Sequence, residues 1–281
     1  MARTCATNSG GGCVGRGRPF LVEGAARTAA AIERDDWRAS LMPATAANLP
    51  PTEREAVAAG WARAGLMEHA SIAAFARFTL HLLSLGAPPD LIRDAQAAMA
   101  DETEHVRMCF SLASAHAGRP IGPGPLALAG AFDGGSAREI LVTAILEGCV
   151  GETVAALEAH ELSERASDPA VRQALTTIAA DEARHAELAW RFVRSAIEQD
   201  PVLAAVAAST FARAESASAR RAVAESSGPD LSAHGIASPA LRREIERHAL
   251  AQVVRPCAAA LLRGRAAPGE GAAQLVTGNL G

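Results

Sequence analysis

The chain contains no tyrosine and no lysine; all 27 of its basic residues are arginine. Together with the abundance of alanine, the missing lysine reads as GC-rich codon usage rather than as a functional signal. The missing tyrosine matters more, because it leaves no phenol to be oxidised. Aromatic residues make up only 4% of the chain and the net charge is −4, so no basic surface interleaved with aromatics points to nucleic acid. Five cysteines, Cys5, Cys13, Cys109, Cys149 and Cys257, are odd in number and scattered. They match neither a disulfide framework nor a zinc pattern. No apolar run reads as long enough for a membrane span, and the Gly-, Ser- and Thr-rich segment up to Arg18 lacks the apolar region of a signal peptide. The expected location is cytoplasmic, with an export signal lost through a misassigned start as the alternative. Cys5 and Cys13 are expected to be exposed thiols.

What the chain does have is a repeat. Ala100-Asp101-Glu102-Thr103-Glu104-His105 returns 80 residues later as Ala180-Asp181-Glu182-Ala183-Arg184-His185. Pro89 and Pro169 keep that offset, and Phe110 and Trp190 supply an aromatic after each copy. Both copies lie in Ala-rich stretches free of Pro and Gly, so both are expected on helices. Residues three apart on a helix project from one face. Each copy therefore offers a carboxylate and an imidazole side by side, a half-site for a first-row metal. One Glu-x-x-His is uninformative, but two within matching surroundings read as a duplicated helical hairpin.

The remaining helices frame these two. The first is expected from about Thr52, capped by Thr52 with a Glu at the third position beyond it, to about Leu85. Glu68, Ser71, Ile72, Phe75, Thr79 and Leu82 share one stripe on it, which puts a charge on an apolar face, costly unless paired or metal-bound. The second runs from Pro89-Asp90 to Ala117. A Pro/Gly-rich connection from Gly118 to Gly135 follows, long enough when extended to travel the length of a bundle. The third helix runs from about Ser136 to Ala166 and the fourth from Pro169 to about Gln199. On the third, Glu147 lies 79 residues after Glu68, close to the repeat offset. Glu152 lies about 140° further round the helix, yet nearer the height of Glu182 when measured from the turn at Ser167-Asp168-Pro169. The offset favours Glu147, with Glu152 as an alternative or additional carboxylate. Gly148 and Gly151 weaken this helix and call for close packing or small-molecule access.

These residues resemble the ferritin-like di-metal carboxylate family: one Glu on each of two helices and Glu-x-x-His on each of two others. Here they are Glu68, Glu102, His105, Glu147 (or Glu152), Glu182 and His185. Asp181-Glu182-Ala183-Arg184-His185 also looks like the Asp-Glu-x-Arg-His motif of oxygen-activating di-iron enzymes. The first copy departs from it, with Glu104 where the Arg would stand. The resemblance covers about residues 52–199 and implies an all-α, ferritin-like four-helix bundle, two hairpins joined by one long crossover. It implies two Fe, or alternatively two Mn, with Glu102 and Glu182 acting through the metal centre. Asp101, Asp181 and Arg184 would stand behind the ligands, orienting the imidazoles. Function would be oxidoreductase chemistry with O2 or peroxide, of the oxygenase, hydroxylase or peroxide-handling type. The alternatives are iron oxidation and storage, or a helical scaffold with a structural metal. The absence of Tyr argues against a tyrosyl-radical enzyme. The absence of rubredoxin-like Cys pairs implies an external electron donor.

The rest is expected to be accessory. Residues 1–51 read as largely irregular: up to Arg18 disordered, and from Pro19 to Pro51, with an apolar patch at Pro19-Phe20-Leu21-Val22 and a short helix near Trp37, a wrap on the domain surface. Residues 200–263 read as two outer helices, one running to about Ser226 and one opened by Ser238-Pro239 with a kink or stop near Pro256. They are candidates for homo-oligomer contacts. Residues 264–281 read as a disordered tail. Cys109 and Cys149 read as small core residues rather than ligands, and Phe75, Phe78, Phe110 and Cys149 as lining of a substrate cavity between helices or, equally, plain core. His69 points away from the Glu68 face, and His81, His116, His160, His234 and His248 read as solvated or helix-end residues.

Overall fold

The computed structural model describes residues 18–39, 49–132, 135–220 and 229–263. The expectations for the segment before Arg18, with Cys5 and Cys13, and for the C-terminal tail lie outside these residues. The fold is all-α, dominated by four long helices in a bundle-like arrangement with further helices at the C-terminal side. Helix α1 spans Pro51–Ser84 and α2 spans Pro89–Ala117. The third long helix, Ala137–Arg165, is continuous but not uniform. It comprises α3 (Ala137–Thr143), a π-helical segment (Ala144–Glu152) and α4 (Thr153–Arg165). Helix α5 spans Pro169–Gln199.

Local chemistry fixes most of these ends. Prolines sit in the first turns of α1, α2 and α5, where the missing N–H costs nothing. Gly86 and Gly118 take the left-handed conformation that closes α1 and α2. Ser136 and Glu139 form a reciprocal capping box at α3, and the Asp168 carboxylate accepts from Ala170 N–H and Val171 N–H at α5. Thr52 does not cap α1 as expected. The helix already begins at Pro51 behind Pro50, with no side-chain cap, because Pro51 fixes the first turn one residue earlier.

Ala137–Arg165 is also long and apolar enough, by length and composition, to cross a membrane, contrary to the sequence expectation. Most of its apolar window is buried within the protein, which accounts for that composition without a bilayer.

The core divides into two apolar layers with a polar one between. One layer holds Phe75, Phe78, Leu82, Leu91, Ile145, Leu188 and Phe192. The other holds Val57, Trp61, Val106, Phe110, Leu162, Leu175 and Ile178. On every long helix the residues between these layers include a buried Glu: Glu68, Glu102, Glu152 and Glu182. Apolar packing on both sides therefore holds four carboxylates at one level.

The start of the described chain, Arg18 to Val22, is inserted rather than wrapped on the surface. Phe20 is fully buried with Val22 against Ala70, Ala74 and Ala131. Strands β1 (Leu21–Val22) and β2 (Ala25–Ala26) form a hairpin turning at Glu23 and Gly24, both at positive φ. Strand β3 (Ala31–Ile32) pairs with β4 (Gly122–Pro123) and so ties this segment to the long connection. Among the described residues no helix forms around Trp37; its ring stands edge-on to His69 at a turn. On the other side, α6 (Leu203–Arg220) stacks Phe211 on Trp190. Helix α7 (Pro239–Ala249) leads through a π-helical turn (Leu250–Val254) into α8 (Arg255–Leu262), so the chain stays helical through Pro256. Arg242 of α7 reaches Glu158 of α4 at 3.2 Å.

Candidate metal centre

Two overlapping groups of potential metal-ligating side chains occupy the polar layer. Glu68, Glu102, His105 and Glu182 form one, and Glu102, Glu152, Glu182 and His185 form the other. Within each group the ligand atoms lie within 4.8 Å of one another, and every member is buried. Glu102 and Glu182 belong to both, so two adjacent ions would share them while Glu68 with His105 and Glu152 with His185 served one each. The arrangement is a pair of buried Glu/His clusters capable of coordinating a divalent metal pair.

Glu147, the carboxylate favoured by the repeat offset, is not in either group. It is buried on the π-helical segment, where its Oε1 accepts from Arg77 at 2.5 Å and from Leu21 N–H at 3.1 Å. Arg18 lies 3.4 Å from Oε2. The residue brought to the centre is Glu152. Both stand on the π-helical segment, five positions apart, and the one nearer the α4–α5 turn joins Glu182. The repeat offset misleads because the second hairpin is shorter between its single Glu and its turn: Glu152 stands 17 residues before Pro169, whereas Glu68 stands 21 before Pro89. The flanking glycines answer to packing. A Cβ on Gly148 would collide with the Ala189 Cβ, and one on Gly151 would lie 3.1 Å from Pro19.

The imidazoles are held from behind, each by the other copy. His105 Nε2 donates to Asp181 Oδ2 at 2.9 Å, and His185 Nε2 to Asp101 Oδ2 at 3.3 Å. Arg184 joins the two carboxylates, 2.6 Å from Asp181 and 3.2 Å from Asp101. With Nε2 carrying the proton, Nδ1 of each ring presents a lone pair inward. The Phe75 ring stands edge-on to His185 with centroids 5.0 Å apart.

The inward atoms fit a cation. Both oxygens of Glu68, Glu102, Glu152 and Glu182 and Nδ1 of both histidines are buried without a hydrogen-bond partner. His105 and His185 Nδ1 approach Glu102 and Glu182 at 3.2–3.8 Å, but not in hydrogen-bond geometry. Lone pairs turned on one another in a dry core are strongly unfavourable unless positive charge lies between them. Without metal, that charge is protons. Burial, then the charges of Glu102 and Glu182, raise Glu68 well above the carboxylate range, and burial with Glu182 does the same to Glu152. Burial also pushes Glu102 up, but His105 and His185 outweigh it and hold Glu102 at about 2. Burial acts to lower both histidines, and the hydrogen bonds to Asp181 and Asp101 together with the neighbouring glutamate charges override it, raising both well above their ordinary value.

Among the other residues that the sequence singles out, Cys109, Cys149, Phe75, Phe78 and Phe110 are buried as expected. His160 and His248 are exposed. His116 is not solvated: it is 1% exposed at the inner face of the end of α2, and burial lowers its pKa. Arg18 and Arg77 carried no sequence signal, since an arginine beside a Gly-rich segment or late in a helix reads as solvated. No protein-family model matches the chain, and no curated protein or solved structure matches it.

Proposed function

We propose that this chain is a ferritin-like di-metal carboxylate protein, an oxidoreductase whose iron pair reacts with O2 or peroxide. The observation that carries the reading is the pair of buried Glu/His clusters sharing Glu102 and Glu182. Four carboxylates balance the charge of two divalent ions, and two imidazoles complete a set suited to iron or manganese. When bound, such a pair supplies two electrons to a small oxidant from adjacent centres.

The protein's own part is to hold and shield. Glu68 with His105 and Glu152 with His185 would fix one ion each, and Glu102 and Glu182 would hold the two ions together. Asp181 and Asp101 keep the imidazole Nε2 atoms protonated so that Nδ1 stays available. The apolar layers above and below exclude bulk water.

The ferritin-type crossover belongs to the same proposal. Asp101–His185, His105–Asp181 and Asp94–Arg191 run in opposite senses along α2 and α5, which supports an antiparallel pair. With tight turns at 85–88 and 166–168, the third long helix then runs parallel to α2, and the 118–136 connection returns along the bundle. The approach proposed for an external electron donor is a cleft of about 240 Å³ between α2 and α5, lined by Asp94, Asp101, Arg184, His185 and Arg191. It leads from solvent to the back of the His185 ring.

The test is anaerobic loading with Fe(II), then O2 or peroxide, following absorption and oxidant consumed per iron. Oxidant consumption with two irons per chain supports the reading. Many irons per chain would favour storage, stable binding without oxidation a structural site, and native Mn a peroxide-disproportionating role.

A further inference from the structure

The Arg18–Glu147–Arg77 triad lies outside both ligand groups, yet it is built against one of them. Arg18 is 1% exposed, and its guanidinium stacks on Phe75 at 4.7 Å and on Phe78 at 4.4 Å. Phe75 is the ring that meets His185. The Ser71 hydroxyl donates to the Arg18 carbonyl at 2.8 Å, fixing the backbone on α1. Glu147 lies on the π-helical segment whose last residue is Glu152. Arg77 donates both to Glu147 and to the Leu21 carbonyl, and its guanidinium lies over Phe20 at 4.8 Å. A buried charge cluster is weak evidence for stability, since well-packed apolar residues often do as well. Although Ser71 and Arg77 tie it to α1, its side-chain contacts lead to His185 through Phe75 and to the segment that carries Glu152. Among the described residues, the triad has no such contact with Glu68 or His105.

We infer that Arg18 and Glu147 are positioning residues for one of the two metal positions, that of Glu152 and His185. Arg18 backs the Phe75 ring against His185 and draws Glu147 toward the N-terminal segment. The π-helical segment is thereby pinned at its start, which sets where Glu152 enters the chamber. The inference rests on the di-metal reading, and the two fail in different measurements.

Co(II) is the probe, titrated anaerobically into the full chain and followed by calorimetry and visible absorption. The parent chain should take up two equivalents; uptake of none would remove the di-metal reading and this inference with it. Glu152→Ala leaves the Glu68/His105 position as the better one, and Glu68→Ala leaves the Glu152/His185 position. Arg18→Met, which keeps bulk between the two rings, should weaken Co(II) about tenfold in the Glu68→Ala chain, the scale of losing support behind a ligand. Its visible band should shift as well. In the Glu152→Ala chain both should stay as they were. Glu147→Gln, which keeps the acceptor for Arg77, should repeat the pattern if Arg18→Met lowers helix content. Equal loss in both backgrounds would mean general loosening and overturn the inference, as would no change in either. In the metal-free chain, Arg18→Met should speed hydrogen exchange at the amides of Ala144–Glu152 while α2 keeps its protection; unchanged exchange there would contradict the pinning.

Discussion

The two hairpins of this molecule carry the same motif and solve the same problem differently. In α1–α2 the single Glu stands on a regular helix, at Glu68. In the second hairpin it stands at the end of a π-helical segment, at Glu152, with Gly148 and Gly151 beside it and the Glu147 ion cluster at its back. Yet the Glu-x-x-His pairs on α2 and α5 keep their reciprocal contact, each His bound to the Asp of the other copy, although Arg184 spans both aspartates where the first copy has Glu104. Symmetry survives where two regular helices face each other. It fails for the single Glu of the second hairpin, where Glu152 stands four residues closer to its turn than the repeat offset allows.

Breaking the shared elements should have the largest effect. Glu102→Ala or Glu182→Ala removes a member of both groups, so both metals should be lost while helix content stays near the parent's. Metal analysis and far-UV circular dichroism check this, and two ions retained in either variant would undo the assignment.

The comparison between the hairpins is sharpened by Glu152→Ala against Glu147→Ala. The first should drop metal content toward one per chain. The second should keep two at saturating metal but lower stability by about 3–5 kcal/mol, the scale for leaving a buried charge without its partner. Denaturant unfolding beside metal analysis separates the two, and the opposite pattern would restore Glu147 as the ligand.

Metal removal should change the sign of the pH dependence. In the metal-free chain Glu68, Glu152, His105 and His185 all have raised pKa values. Groups raised by folding stabilise the native state fully below their unfolded values and lose that contribution as pH rises through the folded ones. The metal-free Tm should therefore fall from pH 6 to pH 8.5. Glu102, held at about 2, contributes its pH dependence only below its unfolded value near 4.5 and so does not enter this window. Metal competes with those protons, so affinity should rise with pH and the loaded Tm should not show the fall. Thermal scans with and without chelator at both pH values test it.

The smallest effect belongs to Arg184, which is 58% exposed although it touches both aspartates. Arg184→Ala should cost no more than about 1 kcal/mol of stability. Asp101→Asn, which disturbs the His185 contact itself, should weaken metal by roughly 10- to 100-fold. A larger loss from Arg184→Ala than from Asp101→Asn would reverse the order of their roles.

Much of this was legible in the sequence because its punctuation is strong. Pro89, Gly118, Pro169 and Ser238-Pro239 mark helix ends where the structure has them. Glu102, His105, Glu182 and His185 were found by repetition, and Glu68 by its place on an apolar stripe. The π-helical segment was legible only through Gly148 and Gly151, which call for close packing; that Ala189, Arg18 and Pro19 supply it emerges only from the tertiary structure. The buried N-terminal segment was equally hidden. Arg18 and Phe20 become core residues only once α1 and the third long helix offer Glu147, Phe75 and Phe78 as partners.

The central claim is that one buried layer holds two metal ions through shared Glu102 and Glu182. Its most direct test is metal content per chain, by mass spectrometric elemental analysis after anaerobic Fe(II) loading and desalting. The account predicts two irons in the parent and none in the Glu102→Ala,Glu182→Ala chain. One iron or none in the parent, or two in the double variant, would contradict it.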